Sequence, residues 1–503
     1  MLRAAELERA LASLAATGEI TVHENGERLA ALDGLQFEVR QHGDAGLLHL
    51  WSPARNLVRR VVSVGEESGD AVVLEVERFG HARPARLELR ATSAEPQPAR
   101  AAREQFRARL RQLLAEQFPD ETLDSLTISA DLQHSLSGSY ARGVMHRGPE
   151  AHAVMGVAPG EDTATTDGIL TFALIWLDLV RTRARKRTVA GLRLYLPRGG
   201  SAVTAHRLGA LASPQQAQLY EYDSRFWRVR RIAISDAGNL ATRLTPRREI
   251  EAILAAAAPD IERIGRLSPQ AIKAGVAAGT RDVTLRFRGL EFARWRDGAI
   301  SFGLGLDPEP LTPAKWPALE RVVAQFETHR GPVATETKHR LYRAQAERWL
   351  ETMVAADPAR IDARLDPRNL YAQVPAFSAS DRGIIDLLGV TRDGRLAVLE
   401  LKAAEDIQLA LQAVDYWLRV RWHHAQDDFH RYGYFPGVDL QKKPPLLILV
   451  APGFRFHPSS DAILRALSRD IEIVRVGLAE NWRRGLRVIF RQSRDGTLSG
   501  GTT

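Results

Sequence analysis

The stretch 381–416, DRGIIDLLGVTRDGRLAVLELKAAEDIQLALQAVDY, holds residues whose types and spacing could do chemistry. Two β-type runs, 384–390 and 396–401, are joined by Thr391-Arg392-Asp393-Gly394-Arg395. If Arg392, Asp393 and Gly394 form a three-residue hairpin loop with Gly394 in the left-handed position, Thr391 pairs with Arg395. Counting back from that pair sets Asp386 opposite Glu400, and strand alternation sends Lys402 to the same face as Glu400. Two carboxylates held that close repel unless a cation sits between them, and such oxygen ligands suit Mg²⁺ or Mn²⁺. A divalent metal can polarise a phosphodiester and acidify a bound water, and a neighbouring ammonium can orient that water or stabilise phosphate charge. The arrangement suits phosphodiester hydrolysis.

These residues resemble the PD-(D/E)xK nuclease superfamily, in particular its branch of RecB-like nuclease domains. Asp386 matches the Asp at the end of one strand, and Glu400-Leu401-Lys402 the Glu-x-Lys of the next. The branch carries Gln-x-x-x-Tyr on the following helix, matched by Gln412 and Tyr416, and an acidic residue on the helix before the core. Glu347 in AERWLETMV is the best match there, with Glu351 its competitor. The resemblance covers about residues 341–491. It implies an endodeoxyribonuclease that depends on Mg²⁺ or Mn²⁺, with Asp386 and Glu400 as metal ligands, Lys402 assisting the attacking water, and Gln412, Tyr416 and Glu347 supporting the site. The preference for DNA rests on the resemblance alone.

Each residue also has a structural reading. Glu400 and Lys402 could be a surface ion pair, and Tyr416 could be core. An acidic-x-Lys triplet has little weight alone; Glu336-Thr337-Lys338 is one with no strand leading into it. The chain has only seven lysines among its 69 basic residues, which makes Lys402 beside Glu400 harder to attribute to chance. His423, His424 and His430 invite a metal reading, but their polar loop favours solvated side chains.

The elements that must position this site form a recurring order. A helical run before Phe118, SYARGVM, DGILTFALIWLDLVRTR, LRLYLP and QLYEYDSRFWRVRRI correspond in turn to segments between Leu341 and Ile489. Arg142-Gly143 aligns with Arg382-Gly383, Asp167 with Asp406, Pro197 with Pro452, and Trp227-Arg228 with Trp482-Arg483. On that alignment His146 falls opposite Asp386, and Met155 and Val157 opposite Glu400 and Lys402, so the first copy, about 102–235, is a degenerate nuclease-like domain. Its basic segments are candidate nucleic-acid contacts: Arg183, Arg185, Lys186 and Arg187 after a helix, and Trp227, Arg228 and Arg230, where aromatics interleave with arginine.

The expected fold is α/β, of the α+β kind: a restriction-endonuclease-like core with a mixed central sheet flanked by helices, duplicated, with additional small helix-plus-β modules. The expected organisation is a helix-plus-β module over 1–98, the degenerate domain over 99–240, a helix-plus-β linker module over 241–330, the nuclease-like domain over 331–494 and a disordered tail over 495–503. Pro96 and Pro98 read as a boundary.

Composition bounds the rest. With no cysteine, disulfides, Cys-ligated zinc and thiol nucleophiles are excluded, and a reducing cytoplasm is the expected setting. The amino terminus mixes charged residues among its apolar ones, unlike a signal peptide, and the longest apolar run, 168–180, is broken by Asp178. No membrane partner is expected. The net charge of +8 agrees with a polyanionic partner but also with an arginine-biased composition. The alternative readings are a non-catalytic nucleic-acid-binding or scaffolding protein on the same fold, and a metal-dependent hydrolase of small phosphate compounds. A monomer with one competent site would nick a single strand per binding event, whereas a homodimer could cut both.

Overall fold

The computed structural model describes the chain except residues 1–6, 9–10, 13, 15–19, 25–26, 33–35, 43–44, 53–54, 69–70, 78–84, 92–95, 185–186, 235–242, 305–307, 378–383, 495–497 and 501–503. Arg185, Lys186 and the Arg382-Gly383 anchor therefore lie outside the described residues. Those described form eleven α-helices and strands in four sheets, mixed and antiparallel, an α+β architecture. They divide into two compact units, 1–102 with 300–319, and 103–299 with 320–503.

The first unit is built on a seven-stranded antiparallel sheet: β1 (Ile20–Glu24), β2 (Glu27–Leu32), β3 (Gln36–His42), β4 (Ala45–Ser52), β5 (Arg55–Ser68), β6 (Ala71–Glu77) and β7 (Ala85–Ala91), in the order β2-β1-β7-β6-β5-β4-β3. Alternation along β6 and β7 sends Val72, Leu74, Val76, Leu87 and Leu89 to one face, where they bury with Leu7, Leu11 and Leu14. The Pro96–Pro98 stretch, read as a boundary, opens helix α1 (Pro96–Gln117), and the division between the two units falls inside that helix, after residue 102. Proline is tolerated in a first turn, where amides have no intrahelical partner.

In the second unit two six-stranded stretches of sheet repeat one topology. The first runs β8 (Thr122–Thr127), β9 (Tyr140–Arg147), β10 (Glu150–Val157), α2 (Thr163–Arg183), β11 (Thr188–Pro197), α3 (Ala202–Leu208), β12 (Ala217–Tyr222) and β13 (Val229–Ile232). Its order is β8-β9-β10-β11-β12-β13, with β10, β11 and β12 parallel and the other pairings antiparallel.

Between the two stretches lie a short strand, β14 (Arg243–Leu244), helices α4 (Arg247–Ala256) and α5 (Ala258–Gly265), and an antiparallel meander of β15 (Ile272–Val276), β16 (Val283–Phe287) and β17 (Leu290–Arg296). Strands β18 (Ala299–Phe302) and β19 (Glu309–Pro310) pair with each other, and helices α6 (Trp316–His329) and α7 (Arg340–Arg343) follow.

The second stretch comprises α8 (Ala346–Ala356), β20 (Leu365–Phe377), β21 (Ile384–Thr391), β22 (Leu396–Leu401), α9 (Leu409–Ala425), α10 (Asp428–Arg431), β23 (Leu446–Pro452), α11 (Ser460–Ala466), β24 (Ile473–Leu478) and β25 (Val488–Ser493). Its strands lie in the order β20-β21-β22-β23-β24-β25 with the same senses. A further strand, β26 (Leu498–Gly500), pairs with β25, and the rest of the segment expected as a disordered tail, 495–497 and 501–503, lies outside the described residues.

The two stretches share one hydrophobic core, to which Leu174, Leu177 and Leu208 contribute from the first and Leu411, Trp417 and Leu464 from the second. Leu211, after α3, bridges to Leu467, after α11, and the strand-like contact continues through Ala212 N to Ala466 O (2.9 Å) and Ser468 N to Ala210 O (2.7 Å). Helix α2 packs on α11, and α9 on α3, an exchange that relates like elements of the two copies. Among the described helices α2 alone is long and apolar enough to cross a membrane, yet 67% of its apolar window is buried in this core.

Candidate functional site

The β21–β22 hairpin has the register that its turn chemistry dictates. Thr391 N donates to Arg395 O at 2.7 Å, and Gly394 has φ +84°, where a Cβ would also meet the Asp439 carbonyl at 2.1 Å. Leu387 pairs with Leu399, so Asp386 and Glu400 are next in step. All of β22 is buried, and Glu400 is only 1% exposed. Asp386 is fixed from the side: its Oδ2 accepts from Leu401 N at 3.1 Å.

Two helices close the site. Helix α8 buries Trp349, Leu350 and Val354 and turns Glu347 and Arg348 toward the hairpin. Helix α9 buries Leu411, Val414 and Trp417, which leaves Gln412 and Tyr416, one turn apart, on the site side, with Gln412 Nε2 3.3 Å from Tyr416 Oη. Glu347, Asp386, Glu400, Lys402, Gln412 and Tyr416 thus line one cavity of about 640 Å³. Glu351, the competitor of Glu347, faces the neighbouring cavity and accepts from Gln373 Nε2 at 2.5 Å and Arg348 Nη1 at 2.9 Å.

The electrostatics are those of carboxylates crowded in a dry place. Burial pushes Asp386 up to about 6, and burial together with the Asp386 charge pushes Glu400 well above the usual carboxylate range. Burial alone would lower Lys402, but Glu347, Glu400 and Asp406 outweigh it and raise the ammonium. Its Nζ lies 3.3 Å from Asp406 Oδ2 and 4.0 Å from Glu347 Oε2. Burial, then the Glu400 charge, pushes the Tyr416 hydroxyl up to about 12. Glu400 Oε2 is buried without a hydrogen-bond partner. A buried carboxylate oxygen left unsatisfied costs free energy that a cation would recover, so the donor set of Asp386 and Glu400 fits a hard divalent ion.

Two neighbours were not foreseen. Asp406 approaches Lys402 from the loop after β22, and Arg348 Nη1 stands 3.9 Å from Asp386 Oδ1. The spacing Lys402-x-x-x-Asp406 was visible, but only the loop path brings the charges together. Glu336 lies in irregular chain and Thr337 and Lys338 in the turn after it, so no strand leads into that triplet. Of the three histidines, His430 is exposed as expected, whereas His423 is 1% exposed with Nδ1 2.7 Å from Asp428 Oδ2, because it falls on the inner face of the last turn of α9. His424 Nε2 meets Gln441 O at 2.8 Å, and His430 Nδ1 meets Asp427 Oδ1 at 2.8 Å.

The first six-stranded stretch holds no such site among its described residues. Met155 pairs with Leu194 as Glu400 does with Leu449, each three residues before the proline that ends its strand, so Met155 and Val157 stand where Glu400 and Lys402 do. Across the hairpin, however, Met155 faces Arg142, and Arg142, not His146, takes the place of Asp386. The likeness of two Arg-Gly pairs misled the alignment; register is set by the tight turn at Gly148 and Pro149. Arg142 is 4% exposed, its guanidinium 5.8 Å from the Trp176 ring, and its Nη1 has no hydrogen-bond partner. Met155 and Val157 are fully buried.

The basic candidates divide. Arg183 is exposed, whereas Arg187 pairs with Asp124 at 2.6 Å and Arg230 with Glu221 at 3.1 Å. Trp227 stacks on Tyr222 with centroids 5.3 Å apart, so one face of its ring is already used. Beside it Phe226, of the same aromatic-arginine segment, is 64% exposed, with Arg225 and Arg228 over its ring at 5.2 and 5.9 Å. Comparison with known protein families and with curated proteins finds no match for this chain.

Proposed function

We propose that the chain is a nuclease of the PD-(D/E)xK type that hydrolyses DNA phosphodiester bonds with Mg²⁺ or Mn²⁺, from a single active site in its second copy. The observation that carries this reading is the convergence of Glu347, Asp386, Glu400, Lys402, Gln412 and Tyr416 on one cavity, with a buried Glu400 oxygen left without a partner. The order helix, three-stranded meander, helix, parallel strand, helix, parallel strand supports a restriction-endonuclease-like core, and its recurrence supports a duplication.

Asp386 and Glu400 would hold the metal, which when bound supplies Lewis-acid activation of water and phosphate. Lys402, kept charged by its carboxylate neighbours, donates to the attacking water or to a phosphate oxygen. Gln412 and Tyr416 offer a donor and a hydroxyl on the facing wall, and Glu347 balances the Lys402 charge. Phe226 with Arg225 and Arg228, together with Arg183, gives the first copy a nucleic-acid-facing surface.

The test is incubation of the purified chain with linear, circular and single-stranded DNA in Mn²⁺ or EDTA, beside Lys402→Ala. Cleavage that needs the metal and is lost in the variant is the expected result. Tight binding without cleavage would favour a scaffold on the same fold, and phosphate release from small substrates alone would favour a small-molecule hydrolase.

A further inference from the structure

The second unit has a larger cavity than the one that holds Asp386 and Glu400. It is a groove of about 1160 Å³ between the α4–β15–β16 segment and the face formed by α8 and β20. Its charged lining is five cations, Arg247, Lys273, Arg281, Arg286 and Arg348, against two carboxylates, Glu249 and Glu351. Among the described residues Lys273, Arg281 and Arg286 form no ion pair, and Arg247 Nε is buried without a hydrogen-bond partner. Arg247 pairs with Glu251 at 3.5 Å and Arg348 with Glu351 at 2.9 Å, which leaves Lys273, Arg281 and Arg286 as the cations whose mutual repulsion a bound anion would relieve. Between them, Ile250, Leu254 and Leu370 give the wall an apolar share, and the Tyr371 ring lies under Arg247 at 4.6 Å.

Arg348 lines both this groove and the smaller cavity, between Glu351 at 2.9 Å on one side and Asp386 at 3.9 Å on the other. The groove therefore adjoins the cavity of the proposed metal ligands, with Arg348 in the wall between them. Pockets for drug-sized ligands hold about 300–1,000 Å³, so this one takes about two or three nucleotides of a single strand, whereas a duplex is too bulky. Charge to follow a backbone and apolar surface to meet bases are what single-strand binding uses.

We infer that this groove receives a single strand of nucleic acid and leads it to the Asp386–Glu400 cavity, so that the substrate presents a single-stranded end, flap or gap. This rests on the nuclease reading for its direction, but the groove can be tested without cleavage. Binding of a labelled oligothymidylate and of a labelled hairpin duplex is measured on the full chain in EDTA, across a salt series, for wild type and for Lys273→Ala/Arg281→Ala. Both side chains are exposed, so the fold should survive. Arg286→Gln, checked by its melting curve, is the second variant.

The expected result is a roughly tenfold loss of oligothymidylate affinity, a salt slope smaller by about 1.4 for two lost phosphate contacts, and unchanged duplex affinity. Unchanged oligothymidylate binding in both variants, an equal loss for the duplex, or displacement by a mononucleotide at equal phosphate concentration would overturn the inference. Metal-dependent cleavage by wild type with no effect of the groove variants sinks the groove alone. Groove-dependent binding with no cleavage in Mn²⁺ sinks the nuclease reading alone.

Discussion

Arg207 of α3 grips Asp415 of α9 with two nitrogens, Nε at 3.0 Å and Nη2 at 2.6 Å, while its Nη1 donates to the Asp167 carbonyl at 2.6 Å. Both side chains are buried, and they join the two copies through the helix that carries Gln412 and Tyr416. Removing one partner strands the other charge in the core. Asp415→Ala should cost about 3–5 kcal/mol in urea unfolding, and Arg207→Leu/Asp415→Leu should recover part of that loss. Because the two sheet stretches share one core, the second unit of each variant should unfold in a single step, beside at most one step from the first unit; a third transition would show that the stretches are separable.

The Asp386–Glu400 pair predicts a metal-stabilised protein. A cation that binds only the folded site stabilises it by mass action, so saturating Mn²⁺ should raise the Tm by several degrees over EDTA. Asp386→Asn and Glu400→Gln should each remove that increment. Glu400→Gln should also melt no lower than wild type in EDTA, since it replaces a buried carboxyl that lacks a partner. A lower Tm there would mean that Glu400 is satisfied without a metal.

Glu351 gives a pH dependence. Burial pushes it up to about 8 against the pull of Arg348. A carboxyl raised in the native state binds more protons folded than unfolded between its two values, so stability falls as pH rises from about 4.3 to about 8. Glu351→Gln should flatten that slope and be more stable relative to wild type at pH 8 than at pH 5, measured by urea unfolding at both. Parallel curves would show that Arg348 keeps Glu351 ionised throughout.

The site hairpin was legible because its information is local: Gly394 fixes the turn, the turn fixes the register, and alternation then sets Asp386, Glu400 and Lys402 on one face. The topology was legible for the same reason, element by element. His146 was set against Asp386 because a shared dipeptide says nothing of register; the turn at Gly148 and Pro149 places Arg142, four residues earlier, at that position. Arg348, Asp406, the Arg207–Asp415 pair and the α4–β15 groove depend on segments far apart in the chain, or on a loop path, and no pattern in a single stretch encodes them. Pro96 and Pro98 marked a boundary without ending a helix, because proline is tolerated in a first turn.

The position of Arg142 carries the last prediction. It stands where the second copy has Asp386, over Trp176, with Met155 and Val157 closing the space where Glu400 and Lys402 would be. A buried guanidinium with an unsatisfied Nη1 is a poor source of stability, and apolar replacement of buried charge is often neutral or favourable. Arg142→Met should therefore change unfolding free energy by no more than about 1 kcal/mol either way and leave metal-dependent cleavage at the wild-type rate. The triple change Arg142→Asp, Met155→Glu and Val157→Lys should not create a second site. It sets two carboxylates and an ammonium against a helix whose facing residues, among them Ile169, Ala173 and Leu177, are apolar and buried, so it should destabilise the chain by several kcal/mol. Unfolding curves and cleavage assays on both variants decide the matter. A loss of cleavage in Arg142→Met without a loss of fold would mean that the first copy takes part in the chemistry.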